Sequence, residues 1–133
     1  MFYFAYGADL SRKQMKERAA ESVPKETAVL PNYRVIFTGW LRKWRGGTAT
    51  LQSSRGDRVR GGIYEITEKD LAHLDVAEGY PNEAKRLNVT VYNRDDEPFE
   101  AVTYIKAAQA EETKPSTDYL ALMQEGYRDW RLF

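Results

Sequence analysis

Alternating apolar and polar positions divide most of the chain into short strands. Six strands are predicted, over residues 2–6, 27–37, 48–52, 59–66, 87–92 and 99–105. Pro31 and Asn32 interrupt the second strand and indicate a bend or an edge position. Residues 53–57 and 93–97 have turn compositions, so each segment is predicted to close a hairpin between the strands on either side.

Helical spacing of apolar residues occurs in three further stretches, at residues 11–22, 67–78 and 115–126. Ser11 and Gln14 match a capping box at the start of the first stretch. Thr67 and the acidic residues after it predict the start of the second helix, and Gly79 predicts its end. Together these elements predict an α+β domain, built as a small mixed-sheet β-barrel with flanking helices.

Length and composition narrow the classes of function. A chain of 133 residues has about the length of one domain, so residues 1–133 are predicted to form a single domain. Basic and acidic residues both number 20, and a neutral chain has no overall attraction to nucleic acid. The chain has no cysteine and one histidine, His73, which excludes thiolate chemistry and multi-histidine metal sites. We expect a protein that uses no metal or cofactor and binds no nucleic acid.

No part of the sequence predicts membrane insertion. The longest apolar runs are far shorter than the roughly 18 to 20 residues that span a bilayer. The apolar start, Met1 to Tyr6, lacks a basic leader and is too short for the core of a signal peptide. We therefore expect a cytoplasmic protein without a membrane partner.

Residues 6–10, here called the Gly7 loop, connect the first predicted strand to the first predicted helix. Amide N–H groups at such a junction are not all paired within the helix, and the helix dipole favours negative charge there. The loop could therefore hold a carboxylate or a developing oxyanion. The alternative is a tight strand-to-helix turn without a binding role, which is common in α+β folds.

Glu78 stands at the predicted C-terminus of the second helix. Unpaired carbonyl groups and the negative end of the helix dipole disfavour a carboxylate there, so partial burial would raise the pKa of Glu78. A carboxyl group with a raised pKa can serve first as a general base and then as a general acid. The alternative is a surface glutamate that precedes a C-cap glycine.

Other features make weaker cases for function. Trp40 and Trp44 alternate with basic residues and could stack on bases, but a pocket rim or an interaction surface fits a neutral chain better. His73 has no second metal ligand near it and is interpreted as a surface or hydrogen-bonded histidine. Asp75 is interpreted as solvated or capping, and residues 55–57 as a turn.

Residues 3–9, at the end of the first predicted strand, read Tyr-Phe-Ala-Tyr-Gly-Ala-Asp. In this motif the chain resembles the γ-glutamylcyclotransferase-like superfamily, which includes the AIG2-like proteins and whose members begin with a strand that reads close to Tyr-Phe-Ala-Tyr-Gly-Ser-Asn. The similarity continues in order through GGTATL at 46–51, GD at 56–57, VRGGIYEI at 59–66, LDVAEGYP at 74–81, and PS at 115–116 with Tyr119. The family's fold is a small mixed barrel with helices, which agrees with the predicted elements.

The resemblance implies an enzyme that cyclises a small γ-glutamyl amino acid, amine or isopeptide to 5-oxoproline and releases the amine. The substrate's own α-amino group attacks its γ-carbonyl, so no cofactor is required. The resemblance also implies that Glu78 is the catalytic acid and base and that Tyr119 lines the pocket. The substrate-binding residues that it implies are Tyr6, Gly7, Ala8, Asp9 and Leu10.

Two departures from the family pattern bear on substrate choice. Ala8 and Asp9 stand where the family usually has Ser-Asn, which removes a hydroxyl donor and adds a carboxylate beside the expected glutamyl site. Asp9 is expected either to cap the helix or to pair with the substrate's ammonium group. After Glu78, residues 84–86 read Ala-Lys-Arg where the family often has a tyrosine. A second hypothesis is therefore a non-catalytic module that binds a small ligand or a protein on the same scaffold.

Overall fold

A computed structural model describes residues 1–108 and 110–132, and within them five strands close into a barrel in the order β1-β3-β2-β4-β5. The strands are β1 (Phe2–Ala5), β2 (Val23–Leu41), β3 (Gly46–Glu65), β4 (Ala84–Tyr92) and β5 (Pro98–Lys106). The helices are α1 (Arg12–Arg18), α2 (Glu68–Glu78) and α3 (Thr117–Trp130), with a short 3-10 helix at Ala8–Leu10. None of the described helices is long and apolar enough to cross a bilayer.

The sheet is mixed because of one strand pair. β1 lies parallel to β5, with Tyr3 opposite Val102, while the other neighbouring strands are antiparallel. The first and last strands thus close the barrel. This confirms the predicted α+β class and the mixed-sheet barrel with flanking helices.

The predicted hairpin at residues 53–57 is wrong. β3 runs through this segment without reversing, so the barrel has one long strand where two were predicted. Both flanks pair with β2: Ser53 lies opposite Tyr33, and Arg58 lies opposite Pro31. The intervening residues form a bulge, in which the amide of Gly56 donates to Asn32 Oδ1 at 3.1 Å. The irregularity predicted at Pro31 and Asn32 is therefore the other side of this bulge.

Local capping signals position α1 and α2 as predicted. Ser11 Oγ accepts a hydrogen bond from the amide of Gln14 at 3.2 Å at the start of α1, but the Gln14 side chain donates to Asp9, so only half of the predicted capping box forms. Thr67 and Asp70 form a reciprocal capping box at the start of α2. Gly79 ends α2 in the left-handed region at φ 77°, which glycine adopts without steric cost. Glu78 is therefore fixed in the last turn of α2.

The third helix does not end near Gly126 as predicted but continues to Trp130. Gly126 is buried where α3 crosses the 3-10 helix, and a Cβ atom there would lie 2.4 Å from Leu10 Cβ. Trp130 Nε1 donates to the Leu10 carbonyl at 2.8 Å. The glycine therefore marks a close approach of α3 to the Gly7 loop instead of a helix end.

The core divides into two layers that meet at β1. Phe4 and Ile63 belong to a cluster built from strand residues, whereas Tyr3, Leu10 and Trp130 belong to a cluster that the helices share. Alternate residues of β1 point to opposite sides of the strand, so both of its faces are buried. The predicted buried first strand is confirmed, and its end delivers the Gly7 loop to the site.

The packing of α3 on the Gly7 loop predicts that Gly126→Ala destabilises the protein by about 1–3 kcal/mol, because the added methyl group overpacks the contact with Leu10. Helix propensity alone predicts that Gly126→Ala stabilises the protein, since alanine is favoured over glycine in a helix by about 1 kcal/mol. Ala121→Gly, at an exposed position of the same helix, measures the effect of helix propensity on stability where no close packing is involved. Urea unfolding measures both variants, and a stabilised Gly126→Ala protein would contradict this account.

Candidate active site

A cavity of about 490 Å³ opens where the end of β1 meets the C-terminus of α2, α3 and the β2–β3 hairpin. Most of the residues that the sequence singled out meet in it. The residues of its wall that concern function are Tyr3, Tyr6, Gly7, Ala8, Asp9, Arg18, Trp40, Trp44, Glu78, Lys106 and Tyr119.

The side chain of Leu10, the last residue of the Gly7 loop, does not line the cavity. It is completely buried in the core shared with the helices, where it contacts Gly126. The four preceding residues of the loop, by contrast, line the cavity. Leu10 therefore supports the loop from behind and does not reach a ligand in the cavity.

Glu78 projects into the cavity from the last turn of α2, with 31% of its side chain exposed. Burial of the carboxyl group, followed by the negative charge of Asp9, raises the pKa of Glu78 to about 7. The positive charges of Arg18 and Lys106 oppose this rise. The carboxyl group can therefore exchange a proton near neutral pH.

Asp9 is buried, and three donors occupy its oxygens. The Tyr3 hydroxyl donates to Oδ2 at 2.7 Å, while Gln14 Nε2 and Arg18 donate to Oδ1 at 3.2 and 3.1 Å. Ser11, not Asp9, caps α1, so the expected capping role of Asp9 is wrong. The carboxylate is held in place as a fixed negative charge at the inner end of the cavity.

Arg18 joins the two carboxylates. One terminal nitrogen of its guanidinium lies 3.1 Å from Asp9 Oδ1 and 3.5 Å from Glu78 Oε1. Burial of the guanidinium disfavours its charge, but Asp9 and Glu78 more than offset this, and the pKa of Arg18 is raised. Sequence reasoning missed Arg18, because nothing in the pattern of α1 separates it from the solvent-facing cations of the same helix.

Tyr119 lines the cavity beside the Gly7 loop. Its oxygen accepts a hydrogen bond from the amide of Ala49 at 3.0 Å, and Trp44 packs edge-on against its ring. Burial is the main reason that the pKa of Tyr119 rises to about 12, so the hydroxyl keeps its proton at neutral pH. With the amide of Ala49 on the oxygen, Tyr119 can donate that proton to a ligand in the cavity.

Lys106, at the end of β5, was also missed. Its ammonium group donates to the Thr38 carbonyl at 2.5 Å and reaches the cavity wall. Burial lowers the pKa of Lys106, and the charge of Glu78 opposes that shift. The alternation of β5 offered no signal, since Tyr104, Ile105 and Lys106 all line the cavity.

The structure also places the weaker candidates from the sequence, which are Asp75, His73, Trp40 and Trp44. Asp75 is neither solvated nor capping, because it accepts hydrogen bonds from Arg86 and, at 2.5 Å, from the Tyr104 hydroxyl. His73 is exposed on α2. Trp40 and Trp44 line the cavity, as the pocket-rim interpretation predicted. Among the described residues, no group of three or more His, Cys, Asp or Glu side chains could hold a metal ion.

This geometry suits proton transfer to and from a bound ligand. A carboxyl group with a pKa of about 7 lines the cavity, and the hydroxyl group of Tyr119 lines it as well. Nearly the whole chain also matches a known protein family. The model of the family described as gamma-glutamyl cyclotransferase, AIG2-like, matches residues 3–130. The chain belongs to this family of enzymes.

Relatives and solved structures agree with the assignment. The gamma-glutamylcyclotransferase of Bos taurus is 27% identical over 132 residues, which cover 96% of this chain and 70% of the relative. A solved gamma-glutamyl cyclotransferase superimposes with a TM-score of 0.94 at 24% identity, covering 99% of this chain and 80% of that one. An AIG2-like protein from Mus musculus has a TM-score of 0.67 at 19% identity, covering 90% and 81%. These structural matches confirm the predicted fold.

The raised pKa of Glu78 predicts how stability depends on pH. Between about pH 4.5 and pH 7 the folded chain keeps the Glu78 proton while the unfolded chain has released it, so the free energy of unfolding falls as the pH rises. We expect Glu78 to account for roughly 2 kcal/mol of this fall. Urea unfolding across this range should show the fall reduced in Glu78→Gln and unchanged in Glu68→Gln, at the exposed first turn of α2. Equal slopes in wild type and Glu78→Gln would contradict the assigned pKa.

Proposed function

We propose that this protein cyclises the glutamyl group of a small γ-glutamyl compound to 5-oxoproline, with Glu78 as general base and then general acid. The observation that supports this most is the position of Glu78, whose carboxyl group has a pKa of about 7 and lines the same cavity as the Gly7 loop. A base whose pKa lies near the operating pH both accepts and returns protons efficiently. The name of the Bos taurus relative points to the same reaction.

The chemistry moves two protons and exchanges one carbon–nitrogen bond for another. Glu78 takes a proton from the substrate's α-ammonium group, and the freed amine attacks the γ-carbonyl carbon to form a tetrahedral intermediate. The bond from that carbon to the departing nitrogen then breaks. Of the three ammonium protons, one stays on the lactam nitrogen and two leave on the departing amine, with Glu78 as carrier. Because nucleophile and carbonyl belong to one molecule, holding the substrate in a ring-closing conformation supplies much of the rate.

The Gly7 loop and Tyr119 would hold the glutamyl group for this step. A Cβ atom at Gly7 would lie 3.2 Å from Ala49 Cβ and 3.5 Å from the Tyr119 oxygen, so a side chain at this position would narrow the space for a substrate. The Tyr119 hydroxyl is a donor that faces the cavity and suits the developing oxyanion or the glutamyl carboxylate. Glycine at position 7 therefore leaves space for a substrate in the cavity.

The direct test is mass-spectrometric detection of 5-oxoproline from a panel of γ-glutamyl amino acids, γ-glutamyl amines and γ-glutamyl-lysine. Wild type should form the product, and Glu78→Gln should lose about 10²–10⁴-fold in rate, because general acid–base catalysis contributes about that much. Glu68→Gln removes a carboxyl group from the other end of the same helix and should keep full activity. Circular dichroism and the unfolding midpoint establish that both variants fold.

Two outcomes would contradict the proposal. Undiminished turnover in Glu78→Gln would remove Glu78 from the mechanism. Tight binding of panel members by wild type, without 5-oxoproline above the uncatalysed rate, would favour the non-catalytic module instead.

A further inference from the structure

The cavity has two ends that differ in exposure and chemistry. At the inner end, Asp9 and Tyr119 are each only 4% exposed and lie near Glu78 and the Gly7 loop. At the outer end, Trp40 is 63% exposed, although it lines the same cavity. A large aromatic side chain left open to solvent beside a cavity commonly marks a contact surface for a ligand.

Lys106 is the cation at the outer end. Its ammonium nitrogen would lie 3.6 Å from a Cβ atom built on Gly39, the residue before Trp40. Within residues 1–108 and 110–132, no carboxylate oxygen lies within 4.0 Å of that nitrogen, whereas Arg18 contacts two carboxylates. The Thr38 carbonyl accepts one of the three ammonium N–H groups. Two donors and a positive charge therefore remain for an anionic ligand.

The hairpin between β2 and β3 adds to the positive potential at this end. Arg42, Lys43 and Arg45 form the turn around Trp44, and all three are exposed. Cations around the mouth of a cavity raise the local concentration of anionic ligands. The outer end thus combines apolar aromatic surface with four cations, while exposed Glu111 and Glu112 lie on the segment that pairs with Thr38 and Gly39.

We propose that the outer end binds the leaving group of the reaction, and that this leaving group is an α-amino acid with a bulky apolar side chain. Its carboxylate pairs with Lys106, and its side chain packs on Trp40. The inference rests on the proposed function, which places the glutamyl group at the inner end beside Glu78. The leaving group then extends toward the opening, where the amino acid can depart into solvent.

Two substrates that differ only in the carboxylate test this assignment. γ-Glutamyl-phenylalanine carries the leaving-group carboxylate, and γ-glutamyl-phenethylamine lacks it. In wild type we expect kcat/KM for the first to exceed that for the second by about tenfold, as a charge-assisted hydrogen bond would provide. In Lys106→Gln this ratio should fall to about one. Removing Lys106 also changes the charge near Glu78, but that effect is common to both substrates and cancels in the ratio.

Controls separate this inference from the proposed function. Lys16→Gln removes the same charge from the exposed face of α1 and should keep the wild-type ratio. Calorimetric binding of both compounds to Glu78→Gln, with and without Lys106→Gln, measures carboxylate selectivity without turnover. If wild type makes no 5-oxoproline, the proposed function fails, whatever the binding shows. If Lys106→Gln leaves the ratio unchanged in both kinetics and binding, the leaving-group assignment is overturned while the reaction stands.

The apolar part of the assignment has its own variant. Trp40→Ala should lower kcat/KM for γ-glutamyl-phenylalanine about tenfold and leave γ-glutamyl-glycine within about twofold, because only the former buries a ring against the indole. Trp40 is preferred to Trp44 for this purpose, since Trp44 also packs on Tyr119. An equal loss for both substrates would show that Trp40 does not contact the leaving group.

Discussion

One guanidinium group contacts both carboxylates at the inner end of the cavity and holds them close together. Arg18 contacts both Asp9 and Glu78, and the three charges lie at the inner end of a cavity where solvent screening is weak. Burial and the charge of Asp9 raise the pKa of Glu78, while the charges of Arg18 and Lys106 lower it. Because burial and Asp9 outweigh the two cations, the pKa of Glu78 is raised to about 7, and the carboxyl group can both take and give a proton at neutral pH.

Contacts with the core hold Asp9 and the Gly7 loop in position. The Tyr3 hydroxyl fixes Asp9 from the buried strand β1, and α3 presses on Leu10 through the space that Gly126 leaves open. The N–H group of Trp130 ties α3 to the same loop. The Gly7 loop is therefore held from two sides, and the position of Asp9 depends on core packing as much as on its own hydrogen bonds.

Helix starts and ends that are set by residues adjacent in sequence could be predicted from the sequence. The caps at Ser11, Thr67 and Gly79 position their helices, and Glu78 follows from the end of α2. Turn composition could not distinguish a reversal from the bulge around Gly56, because that distinction depends on which strand pairs with each flank. Arg18 and Lys106 were missed for the same reason. Their roles arise only when α1, α2 and β5 meet around one cavity.

The central claim is that burial and the charge of Asp9 set the pKa of Glu78. Carbon-13 NMR titration of the Glu78 side-chain carboxyl group, in wild type and in Asp9→Asn, measures this directly. The account predicts a midpoint near pH 7 in wild type and a clearly lower one in Asp9→Asn, because the variant removes the neighbouring negative charge and leaves Arg18 to Glu78 alone. A wild-type midpoint near the ordinary value of 4.5, or one that Asp9→Asn does not move, would contradict it.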